Sequence, residues 1–449
     1  MYKTSIIGAG YVGLCTAVCL ANKGYKTTIS DLKKDRIKLI QSGHPPFYEP
    51  HLSELLMKAV KSGDLLATSD REKAVLNSDI TFITVGTPSK PDGTADLQYI
   101  RGSAEEIGRA LREKDGYHLV VVKSTVPPGT TEYVVKPILE GASGKKVGEN
   151  YGLCMNPEFM REGSAIHDIL EPDRVIIGEY DERSGKTLET FYHGFYSGRP
   201  HILRMGLASA EMVKYATNAF LATKVSFINS IASICEGVPN LNVTQVAKAV
   251  GMDHRISPLF LEAGCGFGGS CFPKDLRALI AFSKRLGYNP SLLEAVLEVN
   301  ERQAMRIVEL ARRGLGDLKG KRVAILGLSF KPNTDDVREA PSIRIINLLL
   351  RGGASICAYD PMAIEKAKSI FNGRVDFARS SIECLRGADC CMVLTEWDEF
   401  KNLRPSTFMK YMKTPLVVDG RRIYDPSEFS EKLRYFAIGV GPKRRQRSD

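Results

Sequence analysis

The chain reads as an α/β protein with two doubly wound parallel-sheet domains joined by a helical middle domain. Three observations predict this. Over residues 1–125, short apolar runs bounded by Gly, Asp or Pro alternate with helical stretches, as buried parallel strands and their crossover helices do. The same alternation restarts near residue 320. Between the two, Ala208 to Glu236 contains neither Gly nor Pro and repeats Met212, Tyr215, Ala216, Ala219, Phe220 and Thr223 at helical spacing, which predicts one long spine helix.

Taken in order, Thr4–Ile7, Thr27–Ser30, Ile80–Val85 and Leu119–Lys123 are predicted strands, and Gly152–Met155 is a fifth that leads into Asn156-Pro157-Glu158. Val243–Val250 and Asp275–Leu286 are predicted helices beyond the spine. Arg322–Leu326 ends in Gly327 as Thr4–Ile7 ends in Gly8, and Ser355–Tyr359 ends in Asp360 as Thr27–Ser30 ends in Asp31. Cys391–Leu394 and Leu416–Val418 continue this second series. The parallel predicts two sheets of one architecture. The expected domains are 1–204, 205–300 and 301–440, followed by a disordered basic tail at 441–449.

The 449 residues are 43% hydrophobic and 25% charged, enough to bury several cores without disulfides or metals, and no metal site is expected. Of the net charge of +10, part lies in Lys443, Arg444, Arg445 and Arg447. No basic run interleaved with aromatics occurs before that tail, which weighs against a nucleic-acid partner; the rest of the charge suits an anionic small molecule. The ten cysteines form no CxxC pair or disulfide-like framework, and Cys390-Cys391 sit inside an apolar run, so a reducing, cytoplasmic setting is expected. The chain enters a strand at Thr4, which reads as no signal peptide. No apolar run approaches the length of a membrane span.

Gly8-Ala9-Gly10-Tyr11-Val12-Gly13 follows one predicted strand and opens a helix, and Asp31 ends the next strand. Glycines at these positions allow a tight turn and close backbone approach, and the helix N-terminus offers free N–H groups to a pyrophosphate. The acid at Asp31 suits ribose hydroxyls and repels a 2′-phosphate, so a Rossmann-like NAD site is predicted rather than an NADP site. Arg36 complicates that choice, because an arginine can accept a 2′-phosphate.

Gly264-Cys265-Gly266-Phe267-Gly268-Gly269-Ser270-Cys271 is too glycine-rich for a helix or a regular strand and predicts a loop whose backbone closes on a ligand. Cys271 ends that loop just before a helix expected near Pro273. A thiol at a helix N-terminus with Lys274 nearby should have a lowered pKa and serve as a nucleophile; from the loop alone it reads equally as a buried cysteine in a glycine turn. Lys214 and Asn218 are four apart on the spine helix and share a face. Lys214 either snorkels to water or is buried for function. Glu158 and Glu162 are again four apart, after a predicted strand end where ligands bind in such sheets; the alternative is a charged surface loop.

Together these segments resemble the UDP-glucose/GDP-mannose dehydrogenase family. The resemblance is carried by GAGYVG at 8–13, VGTPSKPDGTADL at 85–97, KSTVPPGT at 123–130, NPEFMREGSAI at 156–166, PDRVIIG at 172–178, EMVKYATNAFLATKVSFIN at 211–229, FGGSCFPKD at 267–275, SFKPNTDDVREAPS at 329–342 and DGRR at 419–422. FGGSCFPKD and REGSAI look most like the family's UDP-glucose 6-dehydrogenases. Met160 stands where Leu is common, and no catalytic position departs from the pattern.

The resemblance implies two Rossmann-like domains around the helical one, and four-electron oxidation of a UDP-sugar primary alcohol by NAD. It implies that Cys271 is the nucleophile, that Lys214, Asn218 and Asp275 surround the reacting carbon, and that Glu158 is the base for thioester hydrolysis. Thr125, Thr87, Pro88, Glu162, Lys274 and Arg338 join Gly8, Gly10, Tyr11, Val12, Gly13, Asp31 and Arg36 as implied NAD contacts, Thr125 also as a catalytic group. Implied substrate contacts, besides Lys214, Asn218, Glu158 and Glu162, are Phe159, Met160, Arg161, Phe260, Leu261, Glu262, Ala263, Gly264, Gly268, Lys331 and Arg421, with Arg422 beside it. Arg255 resembles an arginine that reaches a neighbouring subunit's substrate, so a homodimer or higher oligomer is implied.

The cysteine makes chemical sense in such a reaction, because an aldehyde has no alkoxide to expel a second hydride until a thiolate adds to it. GDP-mannose or another UDP-hexose would serve the same chemistry. A two-electron hydroxyacid dehydrogenase would leave Cys271 idle, and a redox-silent nucleotide-binding protein would leave the whole polar set unexplained.

Overall fold

The computed structural model describes residues 1–198 and 200–442, so the residues of the expected basic tail from 443 on lie outside the described residues. The chain divides into two compact units, Met1–Thr217 with Arg277–Leu286, and Asn218–Leu276 with the chain from Gly287 on.

In the first unit eight strands form one sheet: β1 (Thr4–Ile7), β2 (Thr27–Ser30), β3 (Leu65–Thr68), β4 (Ile80–Ile83), β5 (His118–Val122), β6 (Tyr151–Met155), β7 (Arg174–Glu179) and β8 (His201–Gly206). Their order is β3-β2-β1-β4-β5-β6-β7-β8. Neighbours are parallel except β6 and β7, which run antiparallel. The strand order reverses between β1 and β4, which creates the crevice where ligands bind in such sheets. Sequence reading missed β3, β7 and β8. The first and last are edge strands that expose several residues, so neither shows the continuous apolar run of a buried strand.

Alternation across the sheet is strict. Ile6, Ile29, Phe82 and Val121 pack on one face, while Ile7, Ile83, Val120 and Val122 pack on the other. The register sets Ile6 opposite Ile29 and Phe82. Buried hydroxyls within the sheet satisfy one another: Ser5 bonds Thr81 at 2.7 Å, and Thr81 bonds His118 Nε2 at 2.8 Å. Burial pulls His118 down to about 3, so the ring stays neutral.

The second unit holds β9 (Arg322–Leu326), β10 (Ser355–Tyr359), β11 (Asp376–Phe377), β12 (Cys390–Val393), β13 (Leu416–Asp419) and β14 (Arg434–Ala437), in the order β11-β10-β9-β12-β13-β14. Every pairing is parallel. The two sheets share the loop geometry after their first strand, with Gly8 at φ +109° and Gly327 at φ +101°. The spine helix runs Leu207–Cys235, followed by helices Val243–Gly251, Phe272–Arg285 and Ser291–Leu315. The last runs unbroken past residue 300, since its first Gly is Gly314. Its Ile307, Val308 and Ala311 belong to one core with Val323, Ile325, Met392 and Val418.

Glu211 of the spine helix is fully buried. Its carboxylate accepts the Gly129 and Thr131 N–H groups and the Thr131 hydroxyl. Burial raises it to about 7 in spite of these donors. An acid raised in this way binds its proton more tightly in the folded state, so its contribution favours folding at low pH and is lost as pH rises from near 4.5 through about 7. The stability of the wild type minus that of Glu211→Gln should therefore fall by roughly 3 kcal/mol across this window. Urea unfolding at a series of pH values checks this, and a difference independent of pH would contradict it.

Candidate active site

The glycine loop after β1 is shaped by contacts that only glycine permits. A Cβ on Gly13 would lie 1.9 Å from the Gly8 carbonyl oxygen and 2.6 Å from Thr84 Oγ1, so the helix Tyr11–Asn22 can approach the strands only without one. A Cβ on Gly10 would meet nothing within 4 Å, and the helix carries no side-chain N-cap. Room is thus left over its first-turn N–H groups, a cradle that fits a diphosphate. Asp31 ends β2 as a buried carboxylate. Its oxygens accept the Ala9 and Lys33 N–H groups and Arg36 Nη1, each at 2.9 Å. Burial alone would raise this carboxyl, but the Lys33 and Ala9 amides and Arg36 together hold it below the ordinary value. Arg36, the sequence's one argument for a 2′-phosphate, is engaged on Asp31. Val12 lies in the same first turn. Thr87 Oγ1 donates to the Thr125 carbonyl at 2.8 Å, which ties the loops after β4 and β5 beside Pro88.

The loop after β6 carries the second set of groups. Glu158 Oε1 pairs with Lys214 Nζ at 3.1 Å, with both side chains buried. Lys214 therefore does not snorkel. Glu158 Oε2 accepts the Met160 N–H at 2.8 Å, and Phe159 lies under the Lys214 ammonium with its ring centroid 5.4 Å away. Arg161 is exposed and forks onto Asp168 at 3.0 and 2.7 Å, and Glu162 next to it is half-buried.

Two buried residues of this region went unnoticed in the sequence. Glu49 bonds the Tyr11 hydroxyl and accepts the Gly163 and Ala165 N–H groups at 2.6 and 2.7 Å, which joins this loop to the helix of the glycine loop. Burial pushes the Tyr11 phenol far up. Lys123 is the other. Nothing marked either beyond position, Glu49 within Pro-Pro-Phe-Tyr-Glu-Pro and Lys123 at a strand end.

In the second unit the glycine loop is clamped by amide side chains. Asn229 Oδ1 accepts the Gly264 N–H at 2.8 Å, and Gln303 Nε2 donates to the Gly264 carbonyl at 2.8 Å. Asn300 accepts the Phe267 N–H at 2.7 Å and donates to its carbonyl at 3.0 Å. A Cβ on Gly268 would lie 2.5 Å from the Glu339 carbonyl oxygen, and the Gly269 N–H donates to the Arg338 carbonyl. Leu261, Ala263 and Gly264 are buried, Glu262 is exposed, and Phe260 adopts φ +65°.

Cys271 is half-buried. Its carbonyl accepts the Asp275 N–H at 2.9 Å, which makes it the N-cap of the helix Phe272–Arg285; the helix begins one residue before the expected start near Pro273. Ser270 Oγ lies 3.5 Å from its sulfur. In the first turn, buried Asp275 accepts Asn218 Nδ2 at 2.6 Å on one oxygen and Lys274 Nζ at 2.6 Å on the other. This unit thus gathers Cys271, Lys274, Asp275 and Asn218, while Lys214 sits one helical turn before Asn218 along the spine. Arg421 donates to the Leu394 and Phe330 carbonyls at 2.8 and 3.1 Å, and Arg422 to Asn242 Oδ1 at 2.7 Å. Lys331 Nζ stands 5.8 Å from the Phe330 ring centroid, Arg338 forks onto Asp336, and Arg255 is exposed and pairs with Asp253. Among the described residues no His, Cys, Asp and Glu cluster is arranged to hold a metal ion, and no helix is long and apolar enough to cross a membrane.

Comparison with known proteins decides the lineage. Residues 2–196 match the NAD binding domain of the UDP-glucose/GDP-mannose dehydrogenase family, residues 208–302 its central domain and residues 324–426 its UDP binding domain. The chain belongs to this family. It is 42% identical over 440 residues to UDP-glucose 6-dehydrogenase TuaD of Bacillus subtilis, covering 98% of this chain and 93% of that protein. It is 43% identical over 424 residues to UDP-glucose 6-dehydrogenase AglM of Haloferax volcanii, covering 94% and 97%. It resembles the solved UDP-glucose dehydrogenase of Pyrobaculum islandicum with a TM-score of 0.90 and 40% identity, over 98% of each chain. In this member of the UDP-glucose/GDP-mannose dehydrogenase family the central-domain match contains Lys214, Asn218, Cys271 and Asp275, and the UDP-binding match contains Lys331, Arg338 and Arg421.

Removing one partner of a buried ion pair takes from the other charge a compensation that burial makes valuable. Glu158→Ala should therefore cost about 3 kcal/mol of folding stability, and much less in a Lys214→Met background. A double-mutant cycle by chemical denaturation checks this; equal costs in the two backgrounds would show that the pair is uncoupled.

Proposed function

We propose that the protein oxidises the C6 primary alcohol of UDP-glucose to the carboxylate, giving UDP-glucuronate with two NAD consumed per sugar. One observation carries the reading: a half-buried thiol at a helix N-cap, whose first turn holds the Asn218–Asp275–Lys274 cluster, on a chain alike along nearly its whole length to UDP-glucose 6-dehydrogenases. A two-electron dehydrogenase has no use for that thiol.

NAD supplies the hydride acceptor for both oxidations. In this reading Gly8, Gly10, Tyr11, Val12, Gly13 and Asp31 hold it, with Thr87, Pro88, Thr125, Glu162, Lys274 and Arg338 as further contacts. Asp275 holds in place the water or the Lys214 amine that takes the C6 hydroxyl proton in the first oxidation. The Cys271 thiolate, favoured by its place at a helix N-terminus, then adds to the C6 aldehyde. That addition creates the tetrahedral oxyanion from which the second hydride leaves, and the product is a thioester on Cys271. Lys214 and Asn218 stabilise the oxyanion. Glu158 takes a proton from the water that attacks the thioester carbonyl, and the Cys271 thiolate departs as the carboxylate forms. Phe159, Met160, Arg161, Arg255, residues 260–264, Gly268, Lys331 and Arg421 are the proposed substrate contacts.

Limiting UDP-glucose should yield two NADH per sugar, and GDP-mannose should be turned over far more slowly. Cys271→Ser should still bind NAD and UDP-glucose but lose steady-state turnover by several orders of magnitude, because a hydroxyl forms little nucleophile at neutral pH. Any acyl group that does reach Ser should persist as a slowly hydrolysed ester, visible by mass spectrometry on the peptide holding residue 271. Two NADH per sugar at a near-normal rate from Cys271→Ser would show the thiol to be structural.

The protein is further proposed to work as a homodimer in the cytoplasm. Ten cysteines without a disulfide suit a reducing compartment. Phe220, Phe227 and Ile234, seven apart on the spine helix, are 67%, 51% and 62% exposed, an apolar stripe that a second copy of the same helix would cover. Phe220→Glu with Phe227→Glu should sediment at the chain mass of 49.5 kDa, and the unmodified protein at twice that. A monomeric unmodified protein would refute the dimer.

A further inference from the structure

The segment PDRVIIG at 172–178 has no part in the proposed reaction, yet its arginine lies against the loop that carries Glu158. Arg174 opens β7. Its guanidinium carbon stands 4.3 Å from the centroid of the Phe159 ring, and its Nη2 donates to Thr217 Oγ1 on the spine helix at 3.5 Å. Thr217 comes three residues after Lys214, on the same face of that helix. Among the described residues Arg174 forms no ion pair. Its charge is met by an aromatic face, an attraction between cation and ring quadrupole that also restrains the ring.

These contacts close a circuit around Glu158. Glu158 Oε1 pairs with Lys214 Nζ at 3.1 Å, and the same ammonium lies 5.4 Å from the Phe159 ring centroid. The ring leads to Arg174, and Arg174 leads back to the spine helix at Thr217. The start of the loop is pinned separately. Asn156 donates its N–H to the Val122 carbonyl and its Nδ2 to the Ile176 carbonyl, each at 2.8 Å, and its Oδ1 accepts Lys123 Nζ at 2.8 Å and the Tyr192 hydroxyl. Pro157, next in the chain, has no N–H to add. Glu158 therefore stands beyond these pins, and its neighbour Phe159 supplies the next hold, packed on the core that contains Val122 and Met155. Cys271 depends on none of this, because it ends the glycine loop that Asn229, Asn300 and Gln303 clamp. A shift of the 158–160 loop moves Glu158 and leaves the thiol where it is.

We propose that Arg174 is a positioning residue for the hydrolytic step: through the Phe159 ring it holds the 158–160 loop so that Glu158 is in place to take a proton from the attacking water. The inference rests on the reading of Glu158 as the base of that step. There the water oxygen bonds to the thioester carbonyl carbon, one water proton goes to Glu158, the C–S bond breaks and the sulfur leaves as the thiolate. Arg174 touches none of these atoms. Both hydrides have left before this step, so a defect confined to it is seen apart from the oxidations.

The experiment follows NADH after rapid mixing of the full-length enzyme with saturating NAD and UDP-glucose. Arg174→Met should keep a fast phase of two NADH per active site. It should lower the steady-state rate that follows by roughly tenfold or more, within the roughly 100-fold that a 1 Å misplacement costs. After acid quench, mass spectrometry should show the acyl group accumulating on the peptide that holds Cys271. Added to Phe159→Leu, Arg174→Met should slow hydrolysis no further, because its route to Glu158 is already gone. If Arg174→Met does not fold, Arg174→Gln removes the charge with a polar side chain and reads the same phases. An unchanged steady-state rate would overturn the proposal. So would a fast phase slowed as much as the steady state with no acyl-enzyme, or a full further loss in the Phe159→Leu background. Glu158→Gln, run alongside, separates the two readings. No acyl-enzyme in Glu158→Gln would show that Glu158 is not the base, and the role of Arg174 would fall with it. Acyl-enzyme in Glu158→Gln but none in Arg174→Met would leave Glu158 as the base and remove Arg174 from the mechanism.

Discussion

Parallel sheets leave one structural demand unmet: the loops at the carboxyl ends of their strands carry N–H groups that no strand pairs, and buried N–H groups must find acceptors. This chain meets the demand with buried side-chain acceptors, some serving one loop and some two. Asp31 takes the Ala9 and Lys33 amides, Glu49 those of Gly163 and Ala165, and Glu211 those of Gly129 and Thr131. In the second unit Asp360 takes four amides from two loops, and Asp419 those of Arg421 and Tyr424.

The same rule explains how a loop as glycine-rich as 264–269 can hold a shape. Glycine gives the backbone its tight passage past the Glu339 carbonyl, at a conformational entropy cost that no glycine side chain can offset. Asn229, Asn300 and Gln303 offset it from outside, with four hydrogen bonds to the backbone of Gly264 and Phe267. Cys271 is thereby delivered at the end of a held segment, directly at a helix N-cap. In the proposed reaction a thiolate so placed would lose little entropy on attack.

What the sequence discloses follows from this division of labour. Strands β1, β2, β9 and β10 were legible to the residue because their apolar runs end in Gly or Asp, and the Gly8–Gly13 loop because close packing admits no other residue at Gly13. Cys271, Lys214 and Asp275 were legible through the segments around them. The clamps were not. Asn300 and Gln303 read as ordinary polar positions on an amphipathic helix, and Glu49 as one acid in a loop, because a long-range acceptor leaves no local periodicity. Lys123 was hidden for the opposite reason: a lysine after an apolar strand is the commonest of surface residues, and only the buried Asn156 opposite it shows otherwise. The edge strands β3 and β8 escaped because a strand exposed on one side lacks the pattern that marks the buried ones.

The two sheets look alike at their second strand, and the difference between them lies in the acid there. Asp31 is met by two backbone amides and one arginine. Asp360, at the matching end of β10, accepts from the Leu328, Ser329, Met362 and Ala363 amides, the Ser329 hydroxyl and Trp397 Nε1. Six donors exhaust the lone pairs of a carboxylate, and Asp360 is fully buried. A ribose hydroxyl would have to displace one of them and leave a buried N–H unpaired, at a cost of about 1–3 kcal/mol. One architecture therefore serves two ends: at Asp31 acceptor capacity remains for a ligand, and at Asp360 the protein's own backbone uses it all. The loop after β9 is fixed by its own chain, so whatever the second unit binds must be read by other groups, such as the side chains of Lys331 and Arg421 and the backbone of the clamped glycine loop.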